Sequence, residues 1–393
     1  MERRYLLKAI VATSVISCLP AMSHAANKIT KKTSVPESFG LERLKSTHIK
    51  AMGLLSGDKS TLNVVFIGDS WTHAPDRYSG VLAEYLIAKY GDAGSGWIGL
   101  GSLNKPGYFT INGCARSKKY LVKYDSPDNW KLGGYANRNT PDISAAGSDK
   151  PGAKITVYGS GKVSKYKICY LKSSGYFKYK ISGKDWITVN ADSNDSEVCF
   201  IEMNEKLDGA WNIEFVILSG VCYLSGIMTY ADQSGVIVNK LAATGSSSND
   251  WASKDSKSWI SGIKSMAPDL VTILFGTNDQ SIPLSVSKYS ANIIKMINRV
   301  REANDKCDIL LIAPCENARP DNQIRMSKYA AALYEIAKLK KLSFLNLQPV
   351  FGENPKHYDM ESKLPLIGPD KIHPIESTGG RLIAYSIKEA LGV

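Results

Sequence analysis

With 393 residues, 44% of them hydrophobic, the chain is long enough to bury one large core or two smaller ones, and too apolar for global disorder. Its formal charge of +12 favours contact with anionic polymers, yet no groove-reading motif appears, which argues against a nucleic-acid partner. No CxxC or Cys/His cluster has zinc spacing, so no metal and no cofactor is expected.

The N-terminus reads Met1-Glu2-Arg3-Arg4, then an apolar run from Ala9 to Met22, then Ser23-His24-Ala25 before Ala26. That is the pattern of a secretory signal peptide over residues 1–25, and it predicts a periplasmic or secreted protein. Val15-Ile16-Ser17-Cys18 imitates a lipidation box, but the apolar run continues through Leu19 and Pro20, which favours soluble export over a lipoprotein. Cleavage would remove Arg3, Arg4 and Lys8 together with Glu2, a net +2, so that +12 falls to about +10. No other stretch holds the roughly 18 apolar residues that cross a bilayer, so no transmembrane segment is expected. Six cysteines remain once Cys18 leaves, and Cys169 with Cys199 is the first disulfide pair to test in an oxidising compartment.

Residues 26–38, rich in Lys, Thr, Ser and Pro, read as a flexible leader. Apolar runs at Leu62 to Ile67, Gly235 to Leu241, Leu270 to Phe275, Ile309 to Ala313 and Leu342 to Leu347 then predict strands. Helical patterns near 79–90, 255–266, 285–303, 322–340 and 376–391 alternate with them. Continuous apolar strands suit a parallel sheet covered on both faces, so the expectation is a doubly wound α/β fold of flavodoxin-like type. Between the first two runs lies a stretch of different texture. Lys154 to Tyr158, Tyr166 to Leu171, Tyr176 to Ile181, Trp186 to Val189, Ser196 to Glu202, Trp211 to Leu218 and Val221 to Tyr230 are short, β-branched or aromatic, and separated by Gly, Ser, Asn and Asp. They predict an antiparallel β-sandwich inserted over 104–231, between a first part at 26–103 and a second at 232–393.

In doubly wound sheets the ligand crevice lies beyond the carboxyl ends of the strands, and three motifs fall there or in a nearby loop. Gly68-Asp69-Ser70 follows the first strand, where glycine permits a tight bend and the amides at a helix start can hold an oxyanion. A serine in this place also serves as a helix cap. Gly276-Thr277-Asn278-Asp279 follows the third strand, and the Asn278 amide is a candidate second oxyanion donor or a turn residue. Asp370-Lys371-Ile372-His373 precedes the last helix; at this spacing one turn presents both side chains, so the carboxylate can fix the imidazole tautomer and leave the other nitrogen free to take a proton from serine. Each motif is ambiguous alone, and their conjunction points to a serine hydrolase.

Together these blocks resemble the SGNH, or GDSL-like, hydrolase family. The resemblance implies Ser70 as nucleophile, His373 as base and Asp370 as its orienter. It implies an oxyanion hole from the amides of Ser70 and Gly245, the latter in Ala243-Thr244-Gly245-Ser246, plus the Asn278 side chain. Gly91-Asp92-Ala93-Gly94-Ser95-Gly96-Trp97, Asn249-Asp250-Trp251 and the β insert resemble peptidoglycan O-acetyl esterases, whose insert is similar to a carbohydrate-binding module. The chain departs from that group at Trp71, where a small polar residue or histidine is expected, and His73 follows two positions later. The implied substrate is an O-acetylated glycan, probed against three alternatives: a peptidoglycan O-acetyltransferase, a deacetylase of another polysaccharide such as alginate or xylan, and a glycan-binding protein with a relic hydrolase domain. Tyr108, Trp130, Tyr135, Tyr176, Trp186 and Trp211 in the insert would either stack on sugar rings or fill the sandwich core. Oligomeric state has no signature in the sequence.

Overall fold

The five apolar runs form one parallel sheet in a computed structural model that describes residues 36–101, 109–110, 113–116, 118–132, 139–193, 197–320, 322–352 and 354–392. The proposed signal peptide, Cys18, Tyr108 and Tyr135 lie outside the described residues. The sheet order is Gly235–Ala242, Thr61–Gly68, Leu270–Leu274, Asp308–Ala313, Ser343–Asn346. Counting only these five, the order is 2-1-3-4-5, the flavodoxin-like arrangement whose switch point lies between the first and third strands. The register sets Gly68 between Ala242 and Leu274, so the ends of three strands meet in one row.

Alternate residues of each strand enter different cores, which is why the runs read as continuously apolar. Val65, Ile67, Val271 and Ile273 pack with Trp259, Ile293, Met296 and Leu333, from helices Ser256–Met266, Val286–Ala303 and Met326–Lys340. Val64, Phe66, Leu310 and Ile312 pack on the other face with Ala51, Leu82, Leu86, Ile383 and Ile387, from helices Lys45–Leu55, Ser79–Tyr90 and Arg381–Leu391. The helix expected from 376 begins instead with a π turn, Glu376–Gly380. Lys45–Leu55 has only Thr47 and Ala51 buried, too faint an apolar stripe to stand out in the sequence. It is fixed by the Thr47 amide and hydroxyl, which donate to Asp308 Oδ2 at 2.7 and 2.8 Å.

Two antiparallel sheets stack beside this layer. One runs Ile187–Asn190, Tyr176–Ile181, Ala210–Ser219, Lys154–Ser160, Leu121–Tyr124, Phe109–Thr110. The other runs Val198–Leu207, Val163–Leu171, Cys222–Tyr230, Ala146–Ser148, Lys131–Leu132, with Ile98–Gly99 also paired to Cys222–Tyr230. Ile155, Val157, Phe177, Ile213 and Phe215 of the first sheet meet Tyr166, Ile168, Leu224 and Ile227 of the second, giving an inserted β-sandwich with its own core. The second sheet is covered on its other face as well, because Cys169, Leu171, Val198 and Met228 share a core with Trp97 and the α/β layer. Trp97 is anchored by its indole N–H, which donates to Asp142 Oδ2 at 2.8 Å. Trp130 and Trp211 are core residues, whereas Tyr176 and Trp186 are partly exposed.

The suggested Cys169–Cys199 disulfide is not formed; both thiols are free. Cys169 pairs with Phe200 and Cys199 with Tyr170 across the two strands, and neighbouring residues on a strand point to opposite faces, so the two sulfurs lie on opposite sides of the sheet.

Candidate active site

The Thr61–Gly68 strand ends at a glycine that no other residue could replace without movement, since a Cβ there would lie 2.1 Å from Thr72 Oγ1. Asp69 then caps a four-residue helix, Ser70–His73, its Oδ1 accepting from the Trp71 amide at 2.9 Å. The helix is held from outside: Thr72 Oγ1 pairs with Tyr78 OH at 2.7 Å, Ser79 Oγ donates to Thr72 O at 2.9 Å, and the Arg77 guanidinium donates to the Ser70 carbonyl. Trp71 is wholly buried in the core that holds Phe66 and Leu82, so the departure at this position serves packing.

On the opposite wall, Gly368 N donates to His373 O at 2.8 Å and Lys371 N to Gly368 O at 2.9 Å, closing a tight loop with Lys371 at φ 63°. Asp370 Oδ1 accepts from the Ile372 and His373 amides at 3.0 and 2.9 Å, which aims Oδ2 at His373 Nδ1, 2.5 Å away. His373 Nε2 in turn stands 2.8 Å from Ser70 Oγ. A continuous chain of hydrogen bonds therefore runs from Asp370 through His373 to Ser70. With a carboxylate on Nδ1, the proton belongs there and Nε2 is the acceptor. Burial, reinforced by the charge of Arg77, holds the His373 pKa below its ordinary value of 6.5, against the upward pull of Asp370. Partial burial pushes the Asp370 carboxyl up, but its hydrogen bonds from the His373 amide and ring win, and its pKa is lowered.

Gly245 follows the Gly235–Ala242 strand in the left-handed region at φ 76°. Neither its amide nor that of Ser70 has a hydrogen-bond acceptor among the described residues. Asn278 opens toward the same loop, and its Nδ2 donates to Ser246 O at 2.9 Å. An amide nitrogen carries two hydrogens, so this bond leaves one for a ligand. The loop is tied to the nucleophile helix by Thr244 Oγ1, 3.0 Å from His73 Nδ1, and steadied by Ser246 Oγ donating to Ala243 O at 2.7 Å. The five residues singled out in the sequence thus lie on neighbouring strand ends and the loop facing them, and a direct hydrogen-bond chain joins three of them.

Sequence reasoning gave no role to Arg77, to the Thr244–His73 tie or to two buried carboxyls. Asp69 is fully buried and desolvation, opposed by the Trp71 amide, raises its pKa to about 7. Desolvation likewise raises Asp279 to about 6, although Ser248 donates to it from both amide and hydroxyl. The sequence offered Ser70 as the helix cap, but the cap is Asp69, one residue earlier; Arg77 carried no local signal, because its partner is a carbonyl defined only by the fold.

Residues 228–376 match the model of the GDSL-like Lipase/Acylhydrolase family. That span includes Gly245, Asn278, Asp370 and His373, and its start lies beyond most of the antiparallel strands that separate Ser70 from it. The match falls on the second part of the α/β unit, the part that holds the aspartate and the histidine. Among solved structures, the chain is similar to a peptidoglycan O-acetylesterase at 16% identity, covering 88% of this chain and 95% of that one with a TM-score of 0.68. It also matches a lipase/acylhydrolase from Enterococcus faecalis, at 22% identity, 41% and 77% coverage and a TM-score of 0.33. A family two carbohydrate esterase from Cellvibrio japonicus matches at 11% identity, 70% and 98% coverage and a TM-score of 0.27. No curated protein sequence matches the chain.

Proposed function

We propose that this hydrolase is an exported esterase that removes O-acetyl groups from a cell-wall glycan, peptidoglycan before others, with Ser70, His373 and Asp370 as its catalytic triad. The observation that carries the reading is the hydrogen-bond chain Asp370–His373–Ser70 beside two amides without acceptors. Ser70 Oγ attacks the acetyl carbonyl while its proton passes to His373 Nε2, and the tetrahedral oxyanion is held by the Ser70 and Gly245 amides and the Asn278 side chain. The bond from the acetyl carbon to the sugar oxygen breaks, and that oxygen takes the proton from Nε2. Water then attacks the acetyl-enzyme and gives a proton to Nε2; as the Ser70 Oγ–acetyl bond breaks, Nε2 returns that proton to Oγ, which releases acetate and restores Ser70.

Substrate and compartment rest on supports of a different kind. The N-terminal pattern of residues 1–25 supports export, the positive charge supports an anionic polymer, and the fold shared with a peptidoglycan O-acetylesterase supports an acetylated glycan. The His373 side chain keeps a quarter of its surface open to solvent, which favours water over a sugar hydroxyl as the second acceptor.

The test is acetate release from O-acetylated peptidoglycan by the wild type and Ser70→Ala. The variant should lose at least about 10⁴-fold in kcat, the scale of losing a serine nucleophile. Retention of activity within about tenfold would remove Ser70 from the chemistry. Acetyl transfer to an unacetylated glycan exceeding hydrolysis would make the protein a transferase.

A further inference from the structure

Several cations of the β-sandwich are neutralised by glutamates, and those at the crevice meet no carboxylate within ion-pair distance among the described residues. In the β-sandwich, Lys165 and Lys167 share Glu202, Lys172 and Lys257 share Glu197, Lys180 meets Glu214 and Lys184 meets Glu205. Around Ser70 the pattern reverses. Arg77 donates to the Ser70 carbonyl, Lys371 sits between Asp370 and His373 in their loop, and Arg319 follows Ala318, whose amide donates to the Lys371 carbonyl at 2.8 Å. None of these three side chains is in a salt bridge among the described residues, and Arg319 and Lys371 are exposed. The one exposed carboxylate built into the triad, Asp370, is already engaged by His373. Asp69, the other acid beside Ser70, is fully buried and unavailable to a ligand.

Arg77 and Arg319, on separate loops, both act on the triad imidazole, and exposed Lys371 belongs to the triad loop itself, so the mouth carries a net positive field. From this juxtaposition we infer that the site selects esters whose alcohol portion carries a carboxylate, with Arg319 as the accessible specificity-determining residue and Arg77 holding the charge next to the nucleophile. This rests on the esterase reading above and adds the chemical class of substrate. A carboxylate a few ångströms from the acetyl group would pair with Arg319 in the bound state and be steered to the crevice before binding. The charges of Arg77 and Arg319 also bear on His373, which places both within electrostatic reach of the reacting atoms.

The test uses the full-length protein with 4-acetoxybenzoate and its neutral methyl ester, each corrected for its rate with hydroxide. The wild type should prefer the anionic ester, and about 0.5 M salt should erase most of the preference through screening. Arg319→Gln should lower kcat/KM for the anionic ester about three- to fivefold more than for the methyl ester, chiefly through KM, as expected for one exposed ion pair. Arg319→Glu should reverse the preference. Equal losses on both esters, or a wild-type preference that ignores salt, overturn the inference while the triad stands. Absence of turnover on both esters and on acetylated glycan overturns the esterase reading itself, and this inference with it.

Discussion

Replacing Asn278 by alanine separates two tasks, one observed and one proposed, that fall to one side chain. Its Nδ2 donates to Ser246 O at 2.9 Å, which leaves the second hydrogen for the proposed oxyanion hole. Removing a donor to the developing oxyanion costs about 3 kcal/mol of transition-state stabilisation, or 10²–10³-fold in kcat. Leaving Ser246 O without its partner costs about 1–2 kcal/mol of stability, since a carbonyl in the wall of a loop recovers only part of its hydration. On a folding unit of this size each kcal/mol corresponds to about 2–4 °C in Tm. The assay is therefore double: steady-state hydrolysis of an aryl acetate, and thermal unfolding of the same preparation. Expected are a kcat lower by two to three orders of magnitude with KM little changed, and a modest fall in Tm. A variant that loses Tm but keeps kcat within about threefold would show that Asn278 is only a strut for the Gly245 loop.

Two further outcomes follow from the same geometry. Because His373 must be neutral to accept the serine proton, and its pKa lies below 6.5, the acidic limb of kcat/KM should fall below pH 6.5; Arg77→Gln removes a cation that disfavours the imidazolium, so the limb should move to higher pH, and a limb that moves down or stays fixed refutes the electrostatic account. Gly96→Ala should destabilise by about 2–4 kcal/mol, because φ is +65° and a Cβ would lie 1.9 Å from the Val238 carbonyl of the edge strand Gly235–Ala242; an unchanged Tm would refute it.

Much of the α/β layer was legible because its strands are buried on both faces and so read as unbroken apolar runs: Leu62 to Ile67 in the sequence became Thr61–Gly68 in the sheet. The sandwich was legible through alternation, which is clearest in Ala210–Ser219, where every second side chain enters the core. Val163–Leu171 alternates less because it is pressed between the sandwich core and the hydrolase side, a neighbour that no local pattern announces. The free thiols of Cys169 and Cys199 were hidden for a related reason: strand register, not spacing along the chain, decides which face a sulfur takes.

By itself the sequence determined the chemical groups at the strand ends: a serine after a glycine bend, an amide after the third strand, and a carboxylate three residues before an imidazole, because those depend on short-range backbone geometry. Only the tertiary structure decided that Ser70 and His373, 303 positions apart, meet at 2.8 Å, that Arg77 reaches back to the Ser70 carbonyl, and that Arg77 is in no ion pair whereas Lys165 and Lys167 share Glu202. Distance between charges and the exclusion of water are properties of the packed chain, and no segment carries them alone.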